Sequence, residues 1–183
     1  MGKTPTGSGQ PSGTEDSSPI CLSFLGIDPG INGGIALIQT SGDDIIAVSS
    51  RSCPVTDAEC AEVITALNFT TPLVMIERVH SMPRDGVKSA FTFGGNDGMW
   101  RGIMAALKIP YQRVEPRRWQ LGVSQAMGLG EIPKEKKERK HYFKAGAERF
   151  GLHKVTLKTA DAIMIAAYGL TTVMGESFLH KYR

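Results

Sequence analysis

The sequence predicts an α/β domain, a mixed sheet with helices on its faces, and three observations predict it. Three strand-like runs follow one another closely near the N-terminus, which is typical of an antiparallel meander. Later strand-like runs alternate with helix-like segments, the pattern of strands joined by crossover helices. With 183 residues and 41% hydrophobic content, the chain is long enough to bury one core of this kind.

Turn and cap signals set the bounds of the predicted elements. Gly-containing turns at 29–33 and 41–43 separate the first three strands. Thr56 followed three residues later by Glu59 is a capping-box pattern, which predicts the start of a helix. The predicted strands are 22–28, 34–40, 44–51, 73–79 and 111–115, and the predicted helices are 57–67, 89–107, 133–150 and 159–174.

We expect one folded domain at residues 21–175, between a disordered N-terminal tail at 1–20 and a C-terminal tail at 176–183. Residues 1–20 have neither the apolar core of a signal peptide nor the arginines of a transit peptide. No run approaches the roughly 18 apolar residues of a membrane span, so no membrane partner is expected. The 3 cysteines lack a C-x-x-C spacing, which argues against a disulfide framework or a zinc site and favours a reducing compartment.

Charge is unevenly distributed along the chain. Residues 1–83 carry 3 basic and 9 acidic side chains, residues 84–154 carry 15 and 7, and residues 155–183 carry 3 and 2. A positive middle third beside acidic strands suits a nucleic-acid partner, whose phosphates must be brought to an acidic centre. The alternative interpretation is a solvated basic helix.

Three acids interrupt segments that otherwise look buried. Asp28 and Glu77 each end an apolar strand, and Asp161 lies in the apolar run 159–167. Burying an unpartnered carboxylate costs several kcal/mol, so such acids usually pair with cations or bind metals. Acids at two strand ends and on a helix can together hold two Mg²⁺ or Mn²⁺ ions for phosphodiester hydrolysis. For each acid taken alone, the alternative is a satisfied polar residue or a helix cap.

Three motifs resemble a known family in their order and approximate spacing: Gly26-Ile27-Asp28-Pro29-Gly30, the strand-terminal Glu77, and the run 160–166. That family is the RuvC-like Holliday-junction resolvases, which have the RNase H-like fold, and the resemblance covers about residues 21–170. Within the family, the runs 76–83, 91–95, 114–119 and 166–169 look most like the plant chloroplast resolvases and their phage-type relatives.

The resemblance implies a homodimeric endonuclease that cuts a four-way DNA junction symmetrically with Mg²⁺ or Mn²⁺. Asp28, Glu77 and Asp161 would be the metal ligands, with two ions in each site. It further implies a role in DNA recombination and chloroplast nucleoid segregation, and hence a chloroplast location.

One position departs from the family pattern. These resolvases commonly carry another acid, or a His, one helical turn before the last Asp, where this chain has Lys158. Since residues three apart on a helix share a face, the Lys158 ammonium is expected beside Asp161. The alternative function is therefore a catalytically impaired module that binds junctions without cutting them.

Basic residues around the acids are candidate DNA contacts. The predicted helix 133–150 would contact phosphates, although Glu135 and Glu138 could instead pair with its cations on the surface. The candidates on and near this helix, with two more after the last strand, are Lys134, Lys136, Lys137, Arg139, Lys140, Lys144, Arg117 and Arg118.

The segment that follows Glu77 is the candidate base reader. Arg84 or Lys88 would contact guanine edges, and His80 or Phe91 would stack on unpaired bases. Other aromatic residues of the next helix, Phe93 and Trp100, are expected in the core or in a dimer interface.

The main rival from another class is a sugar-kinase or actin-like ATPase, because the turn after Asp28 resembles a phosphate-binding hairpin. That architecture needs two such domains and a second Gly-rich loop. A chain of 183 residues is too short for it.

Overall fold

The computed structural model describes residues 20–67, 72–78, 86–151 and 154–183. The strands of this part of the chain are β1 (Cys21–Asp28), β2 (Gly34–Ser41), β3 (Asp44–Ser52), β4 (Leu73–Glu77) and β5 (Tyr111–Val114). Its α-helices are α1 (Asp57–Ala66), α2 (Val87–Ala106), α3 (Pro116–Ala126), α4 (Lys136–Glu148) and α5 (Ala160–Met174), and a 3-10 helix, Glu176–Tyr182, follows them. No helix of the described ranges is long and apolar enough to cross a membrane.

The five strands form one mixed sheet in the order β3-β2-β1-β4-β5. β1, β2 and β3 are an antiparallel meander, whereas β4 and β5 run parallel to β1. The pairing of Ile27 with Ile76 sets the register between β1 and β4, so Asp28 and Glu77 end adjacent strands at the same edge. The predicted mixed sheet and its meander are confirmed.

Alternation along the strands divides the core between the two faces of the sheet. Phe24 of β1 and Met75 of β4 point to one face, where α3, α4 and α5 cover them. Leu25 and Val74 point to the other face, where α1 and α2 supply buried side chains that include Trp100. The fold is therefore a sheet between two helical layers.

Helix α5 lies against β1 at backbone contact, and Gly26 permits this approach. A Cβ at Gly26 would lie 2.2 Å from the Ala162 carbonyl oxygen and 2.4 Å from the Ala166 nitrogen. The next strand makes a similar contact, because a Cβ at Gly34 would lie 2.6 Å from the Lys158 carbonyl oxygen. Small residues on both sides thus hold the start of α5 over the end of β1.

Two segments differ from the sequence-based expectation. Helix α3 was not predicted, although Pro116 stands at its start and the spacing of its buried Trp119 and Val123 is helical. The segment 176–183, expected as a tail, contributes buried Phe178 and Leu179 to the core.

Gly26→Ala should destabilise the fold by about 3 kcal/mol, since the added methyl meets backbone atoms that cannot rotate away. Gly98→Ala is the matched control, because a Cβ there meets nothing within 4 Å. In the interior of α2 it should instead stabilise by up to about 1 kcal/mol, from helix propensity. Urea unfolding measures both; equal changes in the two variants would contradict the close approach of α5 to β1.

Candidate active site

Three carboxyl groups meet in one cleft of about 470 Å³. Asp28 comes from the end of β1, Glu77 from the end of β4, and Asp161 from the first turn of α5. The turn 29–33, three residues of α2 (Thr92, Phe93 and Asn96) and two lysines of α4 (Lys136 and Lys140) complete its lining. The structure therefore brings together all three acids that the sequence singled out.

Asp28 and Glu77 hydrogen-bond to each other through their carboxyl groups. Burial raises the pKa of Asp28 well above its ordinary value, and the charges of Glu77 and Asp161 raise it further. Burial also raises the pKa of Glu77, but the hydrogen bonds from Trp119 and Asp28 oppose that rise. Of the two carboxyls, Asp28 thus has the stronger tendency to hold a proton.

Asp161 belongs to the same electrostatic group. Burial is the main cause that raises its pKa to about 6. Among the neighbouring charges, Lys140 and Arg139 lower the pKa and Glu77 raises it. Lys140 also lowers the pKa values of Asp28 and Glu77. A single ammonium of α4 therefore acts on all three acids.

Trp119 is a site residue that the sequence analysis gave no role. Its indole Nε1 donates to Glu77 Oε1 at 2.9 Å, and the tryptophan is only 1% exposed. The run 114–119 was noticed only as part of a family resemblance. A Trp among polar residues near a strand end was the available signal, but its partner is 42 residues away in the sequence.

Lys158 does not lie beside Asp161 as expected. Its Nζ donates to the Ile31 carbonyl oxygen at 3.3 Å, in the turn between β1 and β2. Helix α5 has its N-cap at Thr159, so position 158 precedes the helix and the spacing rule for helical neighbours does not apply. The Thr156 backbone N–H donates to the Thr159 hydroxyl at 3.0 Å, and the Thr159 backbone N–H donates to the Thr156 hydroxyl at 3.2 Å. These two bonds fix the turn before α5.

The basic residues divide into different structural roles. Lys136 and Lys140 face the cleft, whereas Lys134, Lys137, Arg117 and Arg118 are exposed elsewhere on α3, α4 and the segment between them. Arg139 Nη1 donates to the Lys134 carbonyl oxygen at 3.0 Å, which ties down the segment before α4. Lys144 pairs with Glu148 one turn later, an ion pair on the surface of α4 that the sequence analysis did not name.

The predicted base reader is described only in part. His80 and Arg84 lie outside the described residues, while Lys88 and Phe91 are exposed in the first turns of α2. Trp100 is a core residue, as expected. Phe93 is not in the core: it lines the cleft and keeps 38% exposure, and its place in a dimer interface stays a prediction.

The chemistry of the three acids fits a hard divalent cation such as Mg²⁺ or Mn²⁺, which prefers carboxylate oxygens. Asp28, Glu77 and Asp161 would be its ligands. Among the described residues, no three His, Cys, Asp or Glu side chains already stand in a metal-ligand arrangement. Because burial raises the pKa values of these carboxyls, a cation would have to compete with protons for them.

Comparison with solved structures finds the RuvC fold. RuvC of Thermus thermophilus in complex with a Holliday junction substrate matches with a TM-score of 0.53 and 16% identity, covering 85% of this chain and 98% of that one. A second Thermus thermophilus RuvC structure matches with a TM-score of 0.51 and 19% identity, over the same shares. No family model and no curated protein matches the sequence. At these identities the likeness establishes the α/β, RNase H-like fold alone.

The raised carboxyl pKa values predict that the metal-free protein loses stability as the pH rises. A folded-state pKa of about 6 for Asp161, against 3.8 unfolded, favours folding below pH 3.8, and this contribution is lost as the pH passes through 6. The loss from Asp161 is on the order of 2–3 kcal/mol at neutral pH. Urea unfolding in EDTA between pH 4 and 8 measures it.

Asp161→Asn should flatten this pH dependence and stabilise the metal-free protein near pH 7. Asp43→Asn, at an exposed turn residue, is the control and should leave the pH dependence as it is. If Asp161→Asn keeps the parent's slope, Asp161 is not a buried member of the group.

Proposed function

We propose that this chain is a structure-selective DNA endonuclease that resolves four-way (Holliday) junctions by divalent-metal-dependent phosphodiester hydrolysis near the crossover. One observation carries the proposal: Asp28, Glu77 and Asp161 meet in a cleft that two lysines of α4 also line. The RuvC fold supports it, because the matched RuvC structure holds a Holliday junction substrate.

Each group has a chemical role in this proposal. The three carboxylates hold the cation, two Mg²⁺ or Mn²⁺ ions being expected, while Lys136 and Lys140 attract the anionic backbone to the cleft. The bound cation supplies an activated water and a charge that stabilises the leaving oxygen. Partial burial lowers the effective dielectric around the carboxylates, which strengthens their attraction for a cation.

Asp28→Asn should abolish cleavage of a synthetic four-way junction in Mg²⁺ while leaving junction binding nearly intact. The substitution removes a ligand charge from the acid cluster but none of the lysines that attract phosphates. Gel assays of cleavage and of binding, the latter with Ca²⁺ in place of Mg²⁺, measure the two effects. Asp43→Asn is the control and should cleave like the parent.

Two results would contradict the proposal. One is a parent protein that binds the junction but does not cut it in Mg²⁺ or Mn²⁺. The other is an Asp28→Asn variant that loses binding and cleavage together. A linear duplex of the same sequence should remain uncut throughout, because the proposed substrate is the branched structure.

The catalytically impaired alternative depends on Lys158 and is tested at that residue. The bond from Lys158 to the Ile31 carbonyl oxygen supports the active interpretation, since it directs the ammonium to the turn rather than to the acids. Lys158→Met should therefore leave parental cleavage almost unchanged in a Mg²⁺ titration. An inactive parent that gains cleavage with Lys158→Glu would favour the alternative.

Removing the cations of α4 should weaken binding to every junction sequence to a similar extent. Phosphate contacts give affinity without sequence choice, and each one lost should lower the salt slope by about 0.9 on duplex arms. A triple variant of Lys136, Lys137 and Lys140 to Ala, titrated over a salt range in Ca²⁺, tests this. Lys181→Ala is the control, since that ammonium bonds to Asp44 Oδ1 at 2.9 Å. An unchanged salt slope in the triple variant would show that α4 does not contact the DNA.

Two further parts of the proposal concern assembly and location. Paired symmetrical cuts need two active sites, so we propose a homodimer, which sedimentation of the protein with and without junction tests. The chloroplast location and the role in nucleoid segregation rest on the sequence motifs. Imaging the tagged protein in plant cells tests the location.

A further inference from the structure

We infer that Trp119 is a positioning residue for the metal centre: its indole N–H fixes the Glu77 carboxylate and links that ligand to the basic helix α4. This rests on the proposed function, since it concerns how the proposed metal ligands are held. Trp119 touches neither DNA nor cation in this account and acts through Glu77.

The hydrogen bond between Trp119 and Glu77 lies away from solvent. Trp119 Nε1 lies 2.9 Å from Glu77 Oε1, and the tryptophan is 1% exposed, so water does not compete for the bond. The indole N–H can donate a hydrogen bond but cannot accept one, so the direction of its bond to the carboxylate is fixed. One oxygen of Glu77 is thus oriented by a rigid buried ring.

The ring of Trp119 connects this bond to α4. It packs on Phe143 with centroids 4.8 Å apart and planes tilted by 53°. Lys140 lies one turn before Phe143 on the same helix and lines the cleft. Helix α4, which would contact the backbone phosphates, thus supports the orientation of Glu77 through Phe143 and Trp119.

The chain supplies its own matched control. Its 2 tryptophans are Trp100 and Trp119, and both are buried. Trp100 Nε1 has no hydrogen-bond partner among the described residues. Tryptophan to phenylalanine at either position removes a buried indole N–H, but only at 119 does that N–H hold a carboxylate.

Calorimetric titration of Mn²⁺ into each variant tests the inference without DNA or turnover. Trp119→Phe should weaken Mn²⁺ binding by about 10- to 100-fold, the usual effect of removing a partner that orients a ligand. Trp100→Phe should leave the Mn²⁺ affinity at the parental value.

A second measurement uses the unsubstituted protein, so it survives a Trp119→Phe variant that fails to fold. Two indole N–H signals are expected in a nitrogen-15 NMR spectrum, and Trp100→Phe assigns them. Adding Mg²⁺ to the EDTA-treated protein should shift the Trp119 signal and leave that of Trp100 in place.

The possible failures are distinct. Equal Mn²⁺ affinity in the parent and a folded Trp119→Phe variant, or a Trp119 signal indifferent to bound Mg²⁺, would overturn the positioning role and leave the proposed function standing. A parent that binds neither ion would overturn the proposed function itself.

Discussion

The backbone contact between α5 and β1 is the constraint on which the site depends. Gly26 lets the helix approach until the Ala162 carbonyl oxygen occupies space that any side chain at position 26 would need. That approach brings Asp161, in the first turn of the helix, to the edge where Asp28 ends its strand. Parallel pairing of β1 with β4 then adds Glu77 at the same edge.

Three carboxylates in a half-buried cleft repel one another, and the surrounding residues offset only part of this repulsion. Burial raises all three carboxyl pKa values, and Lys140 offsets part of that rise at each acid. A divalent cation would relieve the same repulsion more fully, which is the physical reason to regard the cluster as a metal site.

The sequence was informative where chemistry and local pattern coincide. An apolar run that ends in an acid predicted the positions of Asp28 and Glu77, and the RuvC-like fold places both at one sheet edge. Lys158 was misplaced because helical spacing was applied to a position that precedes the helix, where it does not set the direction of a side chain.

Tertiary contacts explain what the sequence could not supply. The bond from Trp119 to Glu77 joins residues 42 positions apart, and no local periodicity encodes such a pair. A glycine inside a strand permits a close backbone approach, but nothing local to Gly26 identifies the helix that makes it. Helix α3 escaped prediction because its short apolar pattern follows directly on β5.

The claim that the three acids form one cation-binding unit has a direct physical test. Mn²⁺ binding near pH 6, measured calorimetrically in buffers of different ionisation enthalpy, reports how many protons the protein releases per ion bound. Binding with net proton release is expected, because burial raises all three carboxyl pKa values and a cation binds the deprotonated carboxylates. Binding with no proton release, or no binding at all, would contradict it.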